Sequence, residues 1–141
     1  MPDPVRLHAS AVAFNDRGVL IRGASGSGKS SLALHLMALG ATLISDDQTE
    51  LDVVEGIVYM RAPSPIAGLI EARGIGILTA DRCTAPLVLV VDLDRAETDR
   101  LPHKHSATYF DCKFPCLHKV DNAAWPAGIL QYLKGDRKEP E

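Results

Sequence analysis

The most telling part of the sequence is Gly23-Ala24-Ser25-Gly26-Ser27-Gly28-Lys29-Ser30. It fits the phosphate-binding pattern G-x-x-x-x-G-K-[ST], in which glycines let several backbone N–H groups converge on one point. A helix that follows such a loop aims the positive end of its dipole at the same point. Lys29 would reach phosphate oxygens, and the Ser30 hydroxyl would join a Mg²⁺ shell. The pattern predicts nucleotide binding by this loop and the adjoining Ser31.

The residues on either side of the loop supply the strand and the helix that the motif requires. Residues 18–22 form an apolar pattern that predicts a short strand, and residues 31–39 predict a helix that Gly40 would end. The alternative is a chance match in a glycine-rich turn. Strand, loop and helix in this order favour phosphate binding.

Length and composition point to a soluble globular chain. The 141 residues suggest a single domain, which we place at residues 1–135, with a disordered tail at 136–141. A net charge of −3 gives no general attraction to nucleic acid or to anionic membranes. No apolar stretch reaches membrane-spanning length, and residues 1–6 do not resemble a signal peptide. We therefore expect a cytoplasmic protein.

The order of predicted elements indicates an α/β fold with a mixed, partly antiparallel sheet. Residues 5–14 predict a strand that turns at 15–18 into the strand before the loop, so the two would form a hairpin. Further strands are predicted at 41–45, 49–54, 57–60, 86–93 and within 107–120, with a charged connection at 94–100 and a final helix at 122–134. An all-parallel nucleotide-binding core would not contain these hairpins.

Two adjacent carboxylates, Asp46 and Asp47, follow the strand predicted after the loop helix. In phosphate-loop enzymes a carboxylate at a strand end commonly holds Mg²⁺, and a second one could take the proton of an attacking hydroxyl. Adjacent residues of an extended chain point to opposite faces, so we expect only one of them to face the phosphates. The alternative is a solvated acidic turn.

Two further charged residues, Glu71 and Arg73, precede a glycine-rich turn and would share one face of an extended chain. A carboxylate there could add to a Mg²⁺ shell, and an arginine could stabilise charge on a transferring phosphoryl group. An ordinary surface ion pair is the alternative. His8 is a lone histidine in the first predicted strand, and by itself it indicates no function.

Cysteines and histidines are concentrated in one segment near the carboxyl end. A zinc site is one interpretation, although Cys-x3-Cys-x-His is not a standard finger or ribbon spacing. The other interpretation is reduced cysteines among exposed histidines; an odd number of cysteines argues against a disulfide framework. The residues concerned are His103, His105, Cys112, Cys116 and His118, with Cys83 as the third cysteine.

Several of these segments together resemble the HPr kinase/phosphorylase family. Members have a histidine-containing strand, a loop of type G-x-S-G-x-G-K-S, an Asp-Asp pair and a signature of type E-I-R-G-x-G-I. The matching segments here are His8-Ala9-Ser10, the 23–30 loop, Ile44-Ser45-Asp46-Asp47 and Glu71-Ala72-Arg73-Gly74-Ile75-Gly76-Ile77. They span residues 8–77, about half of the chain.

The resemblance implies a serine kinase that acts on HPr, a small phosphocarrier of the phosphotransferase system, with ATP or pyrophosphate and Mg²⁺. It also implies a core resembling the nucleotide-binding part of phosphoenolpyruvate carboxykinase, and a homo-oligomer, commonly a hexamer. Carried over by position, the catalytic candidates are Asp47 as the base with Asp46 as its supporting neighbour, His8, Lys29 and, in a looser match, Arg100. Arg73 is a further catalytic candidate because an arginine there could stabilise the transferring phosphoryl group. The resemblance implies Ser30 and Glu71 as metal ligands, and the strand-end position of Asp46 and Asp47 makes them candidates as well.

The chain departs from the family in one segment. Members that remove the phosphate by phosphorolysis carry Pro-Val-Arg-Pro-Gly-Arg, and the corresponding region here reads Phe114-Pro115-Cys116-Leu117-His118-Lys119-Val120-Asp121-Asn122. The resemblance therefore predicts the kinase reaction and leaves the reverse phosphorolysis open. A small-molecule kinase and an ATP-binding regulatory module without transfer activity are the alternative functions.

Overall fold

The computed structural model describes residues 2–135 together with 137 and 138. The tail predicted to be disordered, 136–141, therefore lies outside the described residues except for Arg137 and Lys138. The Arg137 guanidinium donates a hydrogen bond to the Pro102 carbonyl at 2.9 Å. Within the described part of the chain, neither helix has the length and apolar character needed to cross a membrane.

The described chain alternates short strands with two helices. In chain order the elements are β1 (Val5–Leu7), β2 (Ala9–Phe14), β3 (Arg17–Arg22), α1 (Lys29–Ala38), β4 (Thr42–Ser45), β5 (Thr49–Val54), β6 (Ile57–Arg61), a 3₁₀ turn (Ser64–Ile66), β7 (Leu69–Ala72), β8 (Gly76–Thr79), β9 (Ala85–Ala96), β10 (His105–Tyr109), β11 (Cys112–Lys119) and α2 (Trp125–Gly135).

The main sheet is mixed, as the sequence predicts. Its central path runs β1-β5-β6-β9-β3-β2-β4, and β11, with β10 beside it, also pairs with β9. β3 and β11 are both parallel to β9, whereas β2 is antiparallel to β3 and to β4. The carboxyl ends of β3, β9 and β11 therefore meet at one edge of the sheet. Strands β7 and β8 form a separate hairpin.

The predicted hairpins are present, and their turns explain why. Asn15 and Asp16 both have positive φ, as do Glu55 and Gly56, which is the geometry of two-residue turns that suit the twist of antiparallel strands. Two predicted boundaries are wrong. Residues 5–14 form two strands, because the chain bends at His8 and β1 leaves to pair with β5. The connection predicted at 94–100 starts later, because β9 continues to Ala96 beside Lys119.

Apolar side chains cover both faces of the central strands. In β3, Val19 and Ile21 face the cluster that α1 and α2 cover, whereas Leu20 faces a second cluster on the opposite side. β9 alternates in the same way, with Leu89 and Val90 in different clusters. A strand buried on both faces reads as a continuous apolar run, and its packing fixes the strand ends at the edge where the polar residues lie.

Candidate active site

The loop at residues 23–30 leaves β3 and enters α1 through a backbone that requires glycine. Gly28 caps the helix with a φ of 103°, a backbone conformation that residues other than glycine rarely adopt. At Gly23, a Cβ would lie 2.5 Å from the Ser27 Oγ and 3.1 Å from the Leu93 Cβ, so a larger residue would require Ser27 to move. The Ser27 N–H donates to the Ala24 carbonyl at 3.0 Å. Its Oγ is buried and has no hydrogen-bond partner among the described residues.

Lys29 is the buried cation of this loop. Its side chain curls back, and Nζ donates to the carbonyls of Gly23 at 2.9 Å and Ala24 at 3.2 Å. Only 6% of the residue is exposed. On the other side of the loop, the Asp94 carboxylate accepts the Ala24 N–H, with oxygens at 3.0 and 3.1 Å. The end of β9 therefore braces the loop that follows β3.

Asp46 is buried beneath the loop and holds three separate segments. Its Oδ1 accepts hydrogen bonds from the Ser10 hydroxyl at 2.9 Å and the Ser30 hydroxyl at 2.6 Å. Its Oδ2 accepts the Glu71 N–H at 3.0 Å. The carboxylate thus ties the β2 strand, the first turn of α1 and β7 to one another.

Asp47 points away from its neighbour, towards solvent. The backbone at Asp47 has a φ of 67°, which turns the side chain out of the strand direction. Its N–H donates to the Ser10 Oγ at 3.1 Å, and its Oδ1 lies 2.6 Å from the Nε2 of His8. The Asp47 side chain is 62% exposed, whereas 7% of Asp46 is exposed. Two adjacent carboxylates therefore occupy different environments.

An open cavity of about 250 Å³ brings most of the predicted residues together. Glu71 lies in β7 and Arg73 in the turn that follows, and both line the cavity. The lining residues are Ser25, Gly26, Gly28, Lys29, Ser30, Ser31, Asp47, Glu71 and Arg73. Two carboxylates, three serine hydroxyls and two cations around one open space form a site that could hold a metal ion and phosphate groups.

Some predicted residues lie outside this lining. Arg100 is exposed on the connection between β9 and β10, and it is not among the described residues that line the cavity. His8 contacts the cavity through Asp47. Asp46 lies behind the wall, where it touches Ser30.

The sequence assigned no functional role to Ser10 or Asp94, and it placed Arg22 only in the strand that enters the loop. Ser10 is quoted above only as part of a matching segment, yet it contacts both Asp46 and the Asp47 N–H. Arg22, at the end of β3, donates to the Tyr109 hydroxyl at 2.8 Å and to Asp92 at 3.3 Å. Burial works against its charge, but the Tyr109 hydroxyl and Asp92 keep the pKa of Arg22 above its ordinary value. A buried apolar run that ends in Asp-x-Asp was the signal that could have identified Asp94.

Comparison with known proteins identifies a family that matches this chain. The family model described as HPr Serine kinase C-terminal domain matches residues 1–108. The HPr kinase/phosphorylase of Clostridium beijerinckii is 40% identical over 73 residues, which is 52% of this chain and 24% of that protein. The HPr kinase/phosphorylase of Stenotrophomonas maltophilia is 37% identical over 70% of this chain and 34% of that protein. The chain thus spans about a quarter to a third of these relatives.

A solved structure has a similar fold. The Hpr(Ser) kinase/phosphatase from Coxiella burnetii superposes with a TM-score of 0.78 over 92% of this chain and 88% of that chain, at 23% sequence identity. At this identity the likeness concerns the fold. It supports the mixed-sheet α/β architecture described above.

Proposed function

This chain belongs to the HPr serine kinase C-terminal domain family, and we propose that it transfers a phosphoryl group from ATP, or from pyrophosphate, to a serine of an HPr-type phosphocarrier. One observation supports this most strongly. The cavity joins the lysine and hydroxyl of a phosphate-binding loop, Lys29 and Ser30, to a solvent-facing carboxylate, Asp47.

We infer that residues 23–31 hold the phosphates of the nucleotide. Cβ atoms built at Gly26 and Gly28 would meet no atom within 4 Å, so there is open space directly against the loop backbone. The Lys29 ammonium now donates to two carbonyls of the loop, and it can turn towards phosphate oxygens. In this proposal the domain, residues 1–135, is a P-loop kinase core resembling the nucleotide-binding part of phosphoenolpyruvate carboxykinase.

The oxygen-rich wall of the cavity fits Mg²⁺, which prefers carboxylate and hydroxyl oxygens. Asp47, Glu71 and the Ser30 hydroxyl face the cavity, and Asp46 orients that hydroxyl from behind. We assign these four residues either as ligands of the metal ion or as residues that orient one of its ligands. When bound, Mg²⁺ would neutralise negative charge on the phosphates.

In the proposed mechanism, Asp47 removes the proton of the target serine hydroxyl as the serine oxygen forms a bond to phosphorus and the bond to the leaving oxygen breaks. His8 fixes the Asp47 carboxylate through the 2.6 Å contact. Arg73, on the cavity wall, would stabilise charge on the transferring group. Arg100 is assigned from the resemblance alone.

The proposal extends to the setting of the reaction. Phosphorylation of the carrier would regulate the phosphotransferase system in the cytoplasm, and the chain would act as a homo-oligomer such as a hexamer. The reverse phosphorolysis is part of the proposal that needs its own test, because the segment matching Pro-Val-Arg-Pro-Gly-Arg reads differently here.

The deciding experiment measures the intact mass of HPr from the same source after incubation with this chain, ATP and Mg²⁺. Asp47→Asn should lower the transfer rate about 10²–10⁴-fold, the usual contribution of a general base, and leave ATP binding nearly intact. Asp111→Asn is a matched control, because Asp111 is an exposed aspartate with a similar positive φ, 61°, in a distant turn.

A single added phosphate on serine with the wild type and Asp111→Asn, but not with Asp47→Asn, is the expected result. Near-normal transfer by Asp47→Asn would refute its assignment as the base. ATP binding without any transfer to HPr would instead favour a small-molecule kinase or a regulatory module. Excess inorganic phosphate added to the phosphorylated carrier then tests the reverse reaction.

A further inference from the structure

Three potential metal ligands converge at the ends of three strands, outside the cavity. Glu97 follows β9, His105 begins β10 and His118 lies near the end of β11. One ligand atom from each lies within 4.8 Å of the other two. The Nε2 of His105 and the Oε1 of Glu97 are 2.9 Å apart. We call these three residues the histidine cluster.

Glu97 is held in place by its own backbone surroundings. Its Oε2 accepts the N–H groups of Thr98 at 3.1 Å and Asp99 at 3.2 Å, which leaves Oε1 directed at His105. Its side chain is 8% exposed. Burial opposes its charge, yet the Asp99 amide and His105 hold the pKa of Glu97 below its ordinary value. Hydrogen bonds of this kind orient ligating carboxylates in metal sites.

The two histidine rings are stacked, with centroids 3.8 Å apart and planes inclined by 10°. An ion pair with Glu97 explains the position of His105 by itself, but it leaves His118 unexplained. Among the described residues, the ring nitrogens of His118 have no hydrogen-bond partner. An imidazole nitrogen without such a partner can bind a metal ion.

We propose that Glu97, His105 and His118 bind a divalent transition-metal ion of the zinc type. Two imidazoles and one carboxylate are donors that suit zinc, and three protein ligands leave a fourth position open. Ligands of a tetrahedral zinc ion lie about 2.1 Å from the metal and so about 3.4 Å from one another. The ligand atoms already lie within 4.8 Å of one another. Binding one ion requires the two rings to tilt out of their stacked arrangement, because a metal lies in the plane of each imidazole that binds it.

This assignment differs from the one that the sequence suggests. Cys116 is opposite His105 in the β10–β11 pairing, but it is 3% exposed and packs in the apolar cluster, and its Sγ is not part of the ligand group. His103 is exposed and also lies outside that group. Glu97, which the sequence did not single out, provides the third ligand.

A metal at this position would fasten both ends of the connection at residues 98–104, because Glu97 precedes it and His105 follows it. That connection leaves the same β9 strand whose Asp94 braces the phosphate-binding loop. The site is independent of the proposed kinase activity, since none of its three residues is among the described residues that line the cavity.

The test uses the full chain stripped of metal with a chelator and then titrated with Zn²⁺ against a chromophoric chelator. Excess Mg²⁺ is present throughout to occupy oxygen-only sites. Because Mg²⁺ competes poorly for imidazole ligands, it leaves the histidine cluster to zinc. The variants are His118→Gln and Glu97→Gln, and the matched control is His103→Gln, an exposed histidine on the same connection. Circular dichroism checks that each variant is folded.

We expect one zinc ion per chain for the wild type and for His103→Gln. Loss of a ligand in His118→Gln or Glu97→Gln should weaken binding by at least about tenfold. In NMR spectra, zinc should shift the ring signals of His105 and His118 and leave those of His103 in place. A wild-type chain that binds no zinc at micromolar concentration overturns the proposal. Equal affinity in His118→Gln and His103→Gln overturns it as well.

Discussion

The cavity beside the 23–30 loop and the histidine cluster lie along the same edge of one sheet, where the parallel strands β3, β9 and β11 end. The cavity collects oxygen ligands around an open space, with Asp47 62% exposed. The histidine cluster collects two imidazoles around a carboxylate that is 8% exposed. Both sites lie at strand ends, but their donor atoms differ, and the donor atoms decide which metal ion each site suits.

The largest expected effect falls on the cavity. Lys29→Met removes the buried ammonium that contacts the loop carbonyls, so on the proposed function it should lower phosphoryl transfer about 10²–10³-fold, the usual cost of losing one preorganised charged contact. Steady-state transfer to HPr measures this. Lys113→Met, at an exposed lysine of β11, is the control and should keep the wild-type rate.

The next effect is a difference in the unfolding free energy of variants at the two adjacent aspartates. Asp46→Asn places an amide where Oδ2 now accepts the Glu71 N–H, and a buried donor without an acceptor should cost about 2–3 kcal/mol of unfolding free energy. Asp47→Asn alters an exposed side chain and should change stability by less than about 0.5 kcal/mol. Urea denaturation of both variants tests the difference, and equal losses would contradict it.

A smaller expected effect, on thermal stability, tests whether zinc binds at the histidine cluster rather than at the cavity. Zinc at ten times its dissociation constant should stabilise the wild-type chain by about 1.4 kcal/mol, which thermal unfolding detects as a rise in Tm. At the same zinc concentration, His118→Gln should reduce the stabilisation to about 0.4 kcal/mol or less, because losing one ligand of the histidine cluster weakens binding at least about tenfold. Mg²⁺ alone should give no His118-dependent stabilisation. An undiminished zinc effect in His118→Gln would place the ion elsewhere.

The smallest expected effect concerns the cysteines. Burial raises the pKa of the Cys83 and Cys116 thiols, so both should be alkylated slowly at neutral pH in the folded chain. Zinc should leave the alkylation rates of all three cysteines unchanged, because no thiol belongs to the histidine cluster. Mass spectrometry of timed samples measures these rates. Protection of Cys112 or Cys116 by zinc would restore a thiolate site as an explanation.

Much of the cavity could be predicted because its residues come from short local motifs. The glycines of the 23–30 loop require a particular backbone, and that backbone in turn requires the strand and helix around it. The pair Asp46 and Asp47 follows the next strand, so its place at the sheet edge follows from chain order. Ser10 acts across strands and has no such local pattern, so it is identified only by what it contacts.

The sequence by itself determined the mixed sheet with its hairpins, the loop at 23–30 and the presence of carboxylates near it. The tertiary structure alone decided that Asp46 turns inward and Asp47 outward, because a positive φ at Asp47 redirects the chain. It also decided that Glu97, rather than a cysteine, accompanies His105 and His118. The pairing of β9 with β11 brings these residues together, and contacts between distant segments depend on strand register, which spacing along the chain does not encode.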